Sequence, residues 1–222
     1  MAFIKKVQIE DMKKIMFNDR YGLTQAVIES RKTMTRRIIG GYPLLPGDRI
    51  DEARFFADFI QIIANNGESL MEIKSRYKVG EVVAVAQRYE DVEELSYLLR
   101  DPFSETYFEE VNIGDEPGYR NKMFVKAEMM PHQIRITGVH CERLQDISDA
   151  DCLKEGVYRD YGDTEFPPHE FYDYDGNKDN GFNTPREAFA SLIDKVSGKG
   201  TWERNPWVIV YEFELMKPRY SM

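Results

Sequence analysis

Leu23-Thr24-Gln25-Ala26-Val27-Ile28-Glu29-Ser30-Arg31-Lys32-Thr33-Met34-Thr35-Arg36-Arg37 is the stretch on which the reading of this chain turns. Leu23, Ala26, Val27 and Ser30 recur at helical spacing, so the first half reads as a short helix ending near Ser30. The second half, Arg31 to Arg37, places four cations and two hydroxyls within seven residues of an otherwise acidic chain. Cations at a helix C-terminus relieve the macrodipole by about 0.3–1 kcal/mol each, and a solvated basic face explains such a run without a ligand. The alternative is a surface for an anionic or carbonyl-bearing ligand. Geometry separates the chemical options. Lys32 and Thr35 meet if the segment is a helical turn and point to opposite faces if it is a strand, so a joint role for them requires a turn.

Working outward, the clearest strand is the last: Trp207, Ile209, Tyr211, Phe213 and Leu215 share one face, with Glu212 and Glu214 outside. Ile134 to Cys141 alternates well enough to be another strand, and Gly80 opens a third through Val82, Val83 and Val85. Asn65-Asn66-Gly67 between Ile60-Gln61-Ile62-Ile63 and Leu70-Met71-Glu72-Ile73 reads as a hairpin, with a helix from Glu52 to Ala64 as the competing assignment. Thr184-Pro185-Arg186-Glu187 is a capping box with proline at the first helical position, and Phe189, Leu192, Ile193 and Val196 form the stripe behind it before Gly198. Ser148 caps a helix through Leu153, with Asp149 and Asp151 in its first turn. Strands and a few helices without βαβ alternation predict an α+β fold with a small curled barrel.

At 222 residues and 42% hydrophobic content the chain can bury a full core, and it reads as one domain over 1–222 with insertions near 41–76, 89–120 and 158–183. The net charge of −9 argues against broad duplex-DNA binding, which demands a basic balance. A basic cleft in an acidic body favours instead a small anionic or polar ligand or a short single strand. Glu90 to Glu116, with Arg100 as its only cation, reads as a solvated acidic insertion. Two cysteines, Cys141 and Cys152, exclude a disulfide framework and read as small buried hydrophobes. Met1 to Lys14 alternates apolar and charged residues, so neither a signal peptide nor a membrane span is expected, and the protein reads as cytoplasmic.

Weaker patterns complete the inventory. Asp173-Tyr174-Asp175-Gly176-Asn177-Lys178-Asp179 alternates oxygen ligands like a calcium loop, but its glycine is early and Thr184 stands where the bidentate acid belongs. No metal and no cofactor is expected. Tyr158, Tyr161, Phe166, Phe171, Tyr172, Tyr174 and Phe182 form an aromatic loop that either stacks on bases or packs as a lid. His132, His140 and His169 are scattered and read as structural.

Four segments of the chain, in order, resemble the ASCH family, relatives of the PUA-type RNA-binding barrel. Leu23 to Arg37 is similar to the family's opening helix and its "G-R-K-T-x-T-R-R" signature, with Ser30 in place of the glycine. Tyr77-Lys78-Val79-Gly80-Glu81-Val82-Val83-Ala84-Val85 resembles its "Y-K-x-G-D-x-L-x-V" turn and strand. Glu142-Arg143-Leu144-Gln145-Asp146-Ile147-Ser148 running into Glu155-Gly156-Val157, and Gly200-Thr201-Trp202-Glu203-Arg204-Asn205-Pro206-Trp207-Val208, complete the set. The resemblance is strongest to a longer branch found in phage and prophage sequences. Ala84-Val85-Ala86-Gln87-Arg88-Tyr89 replaces that branch's "W-V-R-E-T-W", and Met130-Pro131-His132 replaces "M-P-R".

The resemblance implies a PUA-like barrel with flanking helices. It also implies either of two activities for one cleft. The first is binding of RNA or a modified nucleoside beside Lys32, with Arg31, Thr33, Arg36, Arg37 and Gln87 as ligand contacts. The second is the chemistry of the small bacterial members, amidohydrolases that deacetylate acetylcytidine, which assigns Lys32 as base, Thr35 as nucleophile and Glu155 as the group handling the leaving amine or the water. Like charge from Arg31, Arg36 and Arg37 disfavours the Lys32 ammonium, the direction a base requires. A phage assembly or interaction role, with Glu90 to Glu116 as contact surface, is the third class.

Overall fold

A computed structural model describes residues 12–40, 50–56, 58–64, 67, 69–92, 117–161, 170–176 and 181–217. In chain order the strands are β1 Lys14–Ile15, β2 Met34–Ile38, β3 Ile50–Phe56, β4 Phe59–Ala64, β5 Ser69–Lys74, β6 Val82–Val85, β7 Gln133–Arg143, β8 Tyr158–Asp160, β9 Phe171–Asp173 and β10 Trp207–Leu215. The helices are α1 Leu23–Ile28, α2 Asp149–Lys154, α3 Pro185–Ser197 and α4 Thr201–Arg204. The fold is α+β with mixed and antiparallel sheets. No helix among the described residues is long and apolar enough to cross a membrane.

The described residues divide into two compact units, the first drawn from 12–17, 82–134 and 216–217, the second from 18–81 and 135–215. In the first, β1 runs parallel to β6 with Lys14 opposite Ala84 and Ile15 opposite Val85. Its core gathers Ala84, Ala86, Tyr89, Val92, Val125, Ala127 and Met130. Of the acidic insertion Glu90 to Glu116 the structure describes Glu90, Asp91 and Val92, the first two within the turn Tyr89–Asp91, and 93–116 lie outside the described residues.

The second unit carries the sheet β7-β10-β2, with β10 antiparallel to β2 in the register Val210↔Arg36 and Tyr211↔Thr35. The last strand keeps its expected outer acids, Glu212 half-buried and Glu214 exposed, but Val208 and Val210 on that same face are fully buried, so its centre is covered on both sides. A separate sheet, β3-β4-β5, contains the expected hairpin, with Ile60 opposite Ile73 and Gln61 opposite Glu72. The competing helix from Glu52 to Ala64 does not form. Glu52 and Arg54 instead lie on one face of β3 and pair at 2.7 Å, as the two-residue period of extended backbone allows.

Both capped helices form where their caps lie. Thr184 Oγ1 accepts from Glu187 N at 3.1 Å and Ser148 Oγ from Asp151 N at 3.1 Å. Phe189, Leu192 and Ile193 are buried beneath α3 as the stripe requires. Tyr174, at 4% exposure, packs on Phe182 and edge-on to Tyr21, so this part of the aromatic loop serves as packing.

Helix α1 ends at Ile28, two residues before the expected limit, by a Schellman closure. Ser30 N donates to Val27 O at 2.9 Å and Arg31 N to Ala26 O at 2.8 Å, with Ser30 at φ 60° in the left-handed region. A Cβ at that φ is crowded against backbone, which explains why a glycine suits the position. Ser30→Gly is expected to stabilise the protein by about 0.5–1 kcal/mol, read as a higher urea midpoint. A lower midpoint would remove this account of the closure.

Candidate functional site

Three backbone features bring the basic run to one place. The Schellman closure turns the chain sharply, and Lys32 N joins Arg31 N in donating to Ala26 O, at 2.9 Å. Thr33 then bridges two elements: its N–H donates to Lys154 O at the end of α2, and its carbonyl accepts from Phe213 N of β10, both at 2.9 Å. Strand β2 starts one residue later, at Met34. The turn required for Lys32 and Thr35 to meet as helical neighbours is therefore absent. Thr35 lies on the strand, and its neighbour Arg36 faces the opposite side, by the two-residue period of extended chain. Lys32 precedes the strand, outside that alternation.

Glu155 caps the C-terminus of α2, 123 residues from Lys32, and the two meet. Lys32 Nζ donates to Glu155 Oε2 at 2.6 Å and to the Glu155 carbonyl at 2.6 Å. Arg36 Nη1 donates to Glu155 Oε1 at 3.0 Å, so one carboxylate is shared between two cations. Arg36 Nε donates to Glu142 Oε1 at 2.8 Å, and its Nη2 lies 2.7 Å from that oxygen without the alignment to bond it. Lys32, Arg36 and Glu155 are 2%, 6% and 4% exposed. Two cations and two carboxylates thus form one charge-balanced cluster within the second unit.

Burial lowers the Lys32 pKa, with Glu155 opposing the shift and Arg37 and Arg36 assisting it. The expected direction is therefore present, with desolvation rather than like charge as its main cause. Burial likewise lowers Arg37, partly offset by Tyr77. Arg37 shares its face of β2 with Thr35, opposite Ile209 and Tyr211 of β10. On that side Tyr77 packs edge-on to Tyr211 at 5.1 Å, and Tyr211 shares a 3.1 Å hydrogen bond with Ser75. Thr35 is 4% exposed.

Gly156 makes the junction possible. Its φ is +106°, and a Cβ there would lie 3.1 Å from Leu23 Cδ2 and 3.6 Å from Lys32 Cδ. Only glycine permits α2 to end against α1 and the lysine stem.

Not every expected contact joins this cluster. Arg31 is exposed, paired with Glu29 at 2.6 Å, and its guanidinium lies 5.6 Å from the Tyr158 ring centre. Thr33 contributes backbone bonds. Gln87 belongs to the first unit, where its Oε1 meets His132 Nδ1 at 2.8 Å and its N–H donates to Met130 Sδ at 3.3 Å, so the Met-Pro-His motif and Gln87 support each other.

Glu142, the second carboxylate, is not among the site residues expected from the sequence. No sequence signal singles it out, because it lies beyond the alternating stretch Ile134 to Cys141 and meets Arg36 only through the sheet that folding assembles. His140, expected to be structural, has its Nε2 3.4 Å from Glu142 Oε2.

Among the described residues no group of three potential ligands has metal-site geometry. Asp173, within the calcium-like loop, is fully buried and accepts from Tyr158 Oη, Tyr174 N and Asp175 N, so it shapes the turn. Residues 177–180 and His169 lie outside the described residues.

Cys152 is buried and Cys141 partly so, and burial pushes both thiols up to about 12. At pH 8 both are then held as thiols. Iodoacetamide is expected to leave both unlabelled in the native protein and to label both in denaturant, scored by intact mass; rapid native labelling would contradict this burial.

Compared with protein-family models, curated proteins and solved structures, the chain gives no match.

Proposed function

We propose that the protein is a PUA-like, ASCH-type amidohydrolase that removes an acyl group from an acylated nucleoside such as acetylcytidine. The observation that carries this reading is the buried Lys32–Glu155 pair, two groups 123 residues apart, in which burial favours the neutral amine. Anion binding by the basic run is favoured less, because Lys32 and Arg36 are already matched by Glu155 and Glu142.

In this mechanism neutral Lys32, approaching Thr35 from the turn that precedes β2 and not as its helical neighbour, accepts the Thr35 proton as Thr35 Oγ1 adds to the acyl carbonyl. The tetrahedral adduct collapses with cleavage of the C–N bond, and the Lys32 ammonium returns the proton to the leaving amine. Water, deprotonated by Lys32 with Glu155 holding the ammonium that results, adds to the acyl-threonine ester; the adduct expels Thr35 Oγ1, which takes that proton back from Lys32, and the carboxylic acid is released. Glu155 keeps Lys32 in place throughout and offsets its charge when protonated.

The test is chromatographic: acetylcytidine and other acylated nucleosides are incubated with the wild type, Lys32→Met and Thr35→Val, and deacylated product is followed. Turnover by the wild type that falls about 10³-fold or more in both variants is the expected result. Equal turnover in Thr35→Val would remove Thr35 as nucleophile, and absence of turnover in the wild type would remove the enzyme.

One observation favours the second reading, binding of RNA or a modified nucleoside without turnover. Arg31 is exposed and lies over Tyr158, the guanidinium–aromatic pairing on which single-stranded bases stack. Under that reading Arg31→Ala weakens binding while the buried pair serves only stability.

A further inference from the structure

The charge cluster does not stop at Glu142. His140, on the same strand two residues earlier, has its Nε2 3.4 Å from Glu142 Oε2 and its Nδ1 3.8 Å from Glu212 Oε1 of β10. Its side chain is 44% exposed, whereas those of Glu142 and Arg36 are 20% and 1% exposed. Ring and carboxylates therefore mark a path inward. It runs from His140 to Glu142, from Glu142 Oε1 to Arg36 at 2.7–2.8 Å, from Arg36 to Glu155 at 3.0 Å and from Glu155 to Lys32 at 2.6 Å. Every link lies in the second unit.

We propose that His140 is a positioning residue at the solvent end of this chain, and that its protonation shifts Arg36 from Glu142 toward Glu155 and so alters the hold of Glu155 on Lys32. The groups facing His140 are Glu142 on its own strand and Glu212 on β10, with Arg36 of β2 beyond Glu142. Imidazole is the side chain whose charge changes near neutral pH. When the ring is neutral, Glu142 has one cation, Arg36. When it is protonated, the single Glu142 carboxylate serves two. The net shift of Glu142 is downward because His140 and Arg36 together outweigh the upward push of burial, so both cations draw on the same charge. Arg36 cannot leave the network by losing its proton. Its freedom is to redistribute between Glu142 and Glu155, and any gain at Glu155 competes with Lys32 for that carboxylate.

This inference concerns coupling within the cluster and rests on the proposed hydrolase reading only for its catalytic consequence. The primary experiment is therefore independent of turnover. The Lys32 ¹³Cε and Arg36 Nε–H resonances are followed against pH in the wild type, His140→Gln and Glu142→Gln. In the wild type both resonances are expected to step at the pH where the His140 ring resonances themselves titrate. His140→Gln removes the step. Glu142→Gln leaves His140 titrating and removes the step from Lys32, because the shared charge is gone.

A wild-type Lys32 that stays unmoved while His140 titrates would overturn the proposal, as would a step that persists in Glu142→Gln. With turnover established, the wild-type pH–rate profile carries an extra inflection at the His140 titration that is lost in His140→Gln. Absence of turnover together with a coupled step would sink the hydrolase reading and leave this one standing.

Discussion

Glu155→Ala is expected to cost about 3–5 kcal/mol of folding stability, among the largest single-residue effects in the molecule. The carboxylate is 4% exposed and serves Lys32 and Arg36 at once, so its removal leaves two buried cations with less compensation than they were folded with. Breaking a buried ion pair is costly because the charge left behind has lost its water and gains nothing in return. Arg36 keeps Glu142, and Lys32 keeps the Glu155 carbonyl, so the loss falls short of two isolated charges. The double variant Lys32→Met, Glu155→Leu removes the charge from both ends and is expected to lose less than the sum of the two single changes. Urea unfolding at constant m-value measures all three. A cost below about 1 kcal/mol for Glu155→Ala would mean that the cluster is hydrated and open to solvent.

The second large effect is on the pH dependence of turnover. A general base works as the neutral amine, and burial places the Lys32 pKa below the ordinary lysine value of 10.5. kcat/KM is therefore expected to rise with pH through a limb that lies below 10.5, and Lys32→Arg, which cannot deprotonate, is expected to abolish turnover at every pH. Stability moves the same way. Between the lowered pKa and 10.5 the unfolded chain binds more protons at this residue than the folded protein does, so the contribution of Lys32 to stability grows as pH rises across that window. A rate profile that is flat where the lysine titrates, or activity retained in Lys32→Arg, would exclude Lys32 as the base.

The elements legible in the sequence are those whose signal is local. Thr184 and Ser148 announce α3 and α2 because a cap is a contact over three residues, and β10 is visible because its acids alternate with aromatics. Strand β3 was not legible. Ile50-Asp51-Glu52-Ala53-Arg54-Phe55-Phe56 places charge on both faces, so its pattern fits a helix as well as a strand, and pairing with β4 decides the matter. The site divides along the same line. The basic run is local and conspicuous, but its partners arrive from β7 and α2 over 106 and 123 residues. No period in the sequence connects them. Lys32 and Glu155 were paired only through family resemblance, and the role of Glu142 was missed altogether. The turn across Lys32 and Thr35 failed to form because β10 pairs with β2 and holds Thr35 in extended backbone.

The interleaving of the two units also has a consequence for synthesis. Residues 82–134 of the first unit are translated between the two halves of the second. A nascent chain that has completed β5 therefore carries Lys32 and Arg36 with neither Glu142 nor Glu155 yet made, and both cations remain hydrated on an unfinished sheet. Burial of the cluster waits for α2, and final closure waits longer, for β10, whose pairing with β2 comes from the last part of the chain. Such late, long-range closure predicts a slow final folding step that depends on the C-terminal strand. A truncation before Trp207 would leave β2 without its only partner strand among the described residues.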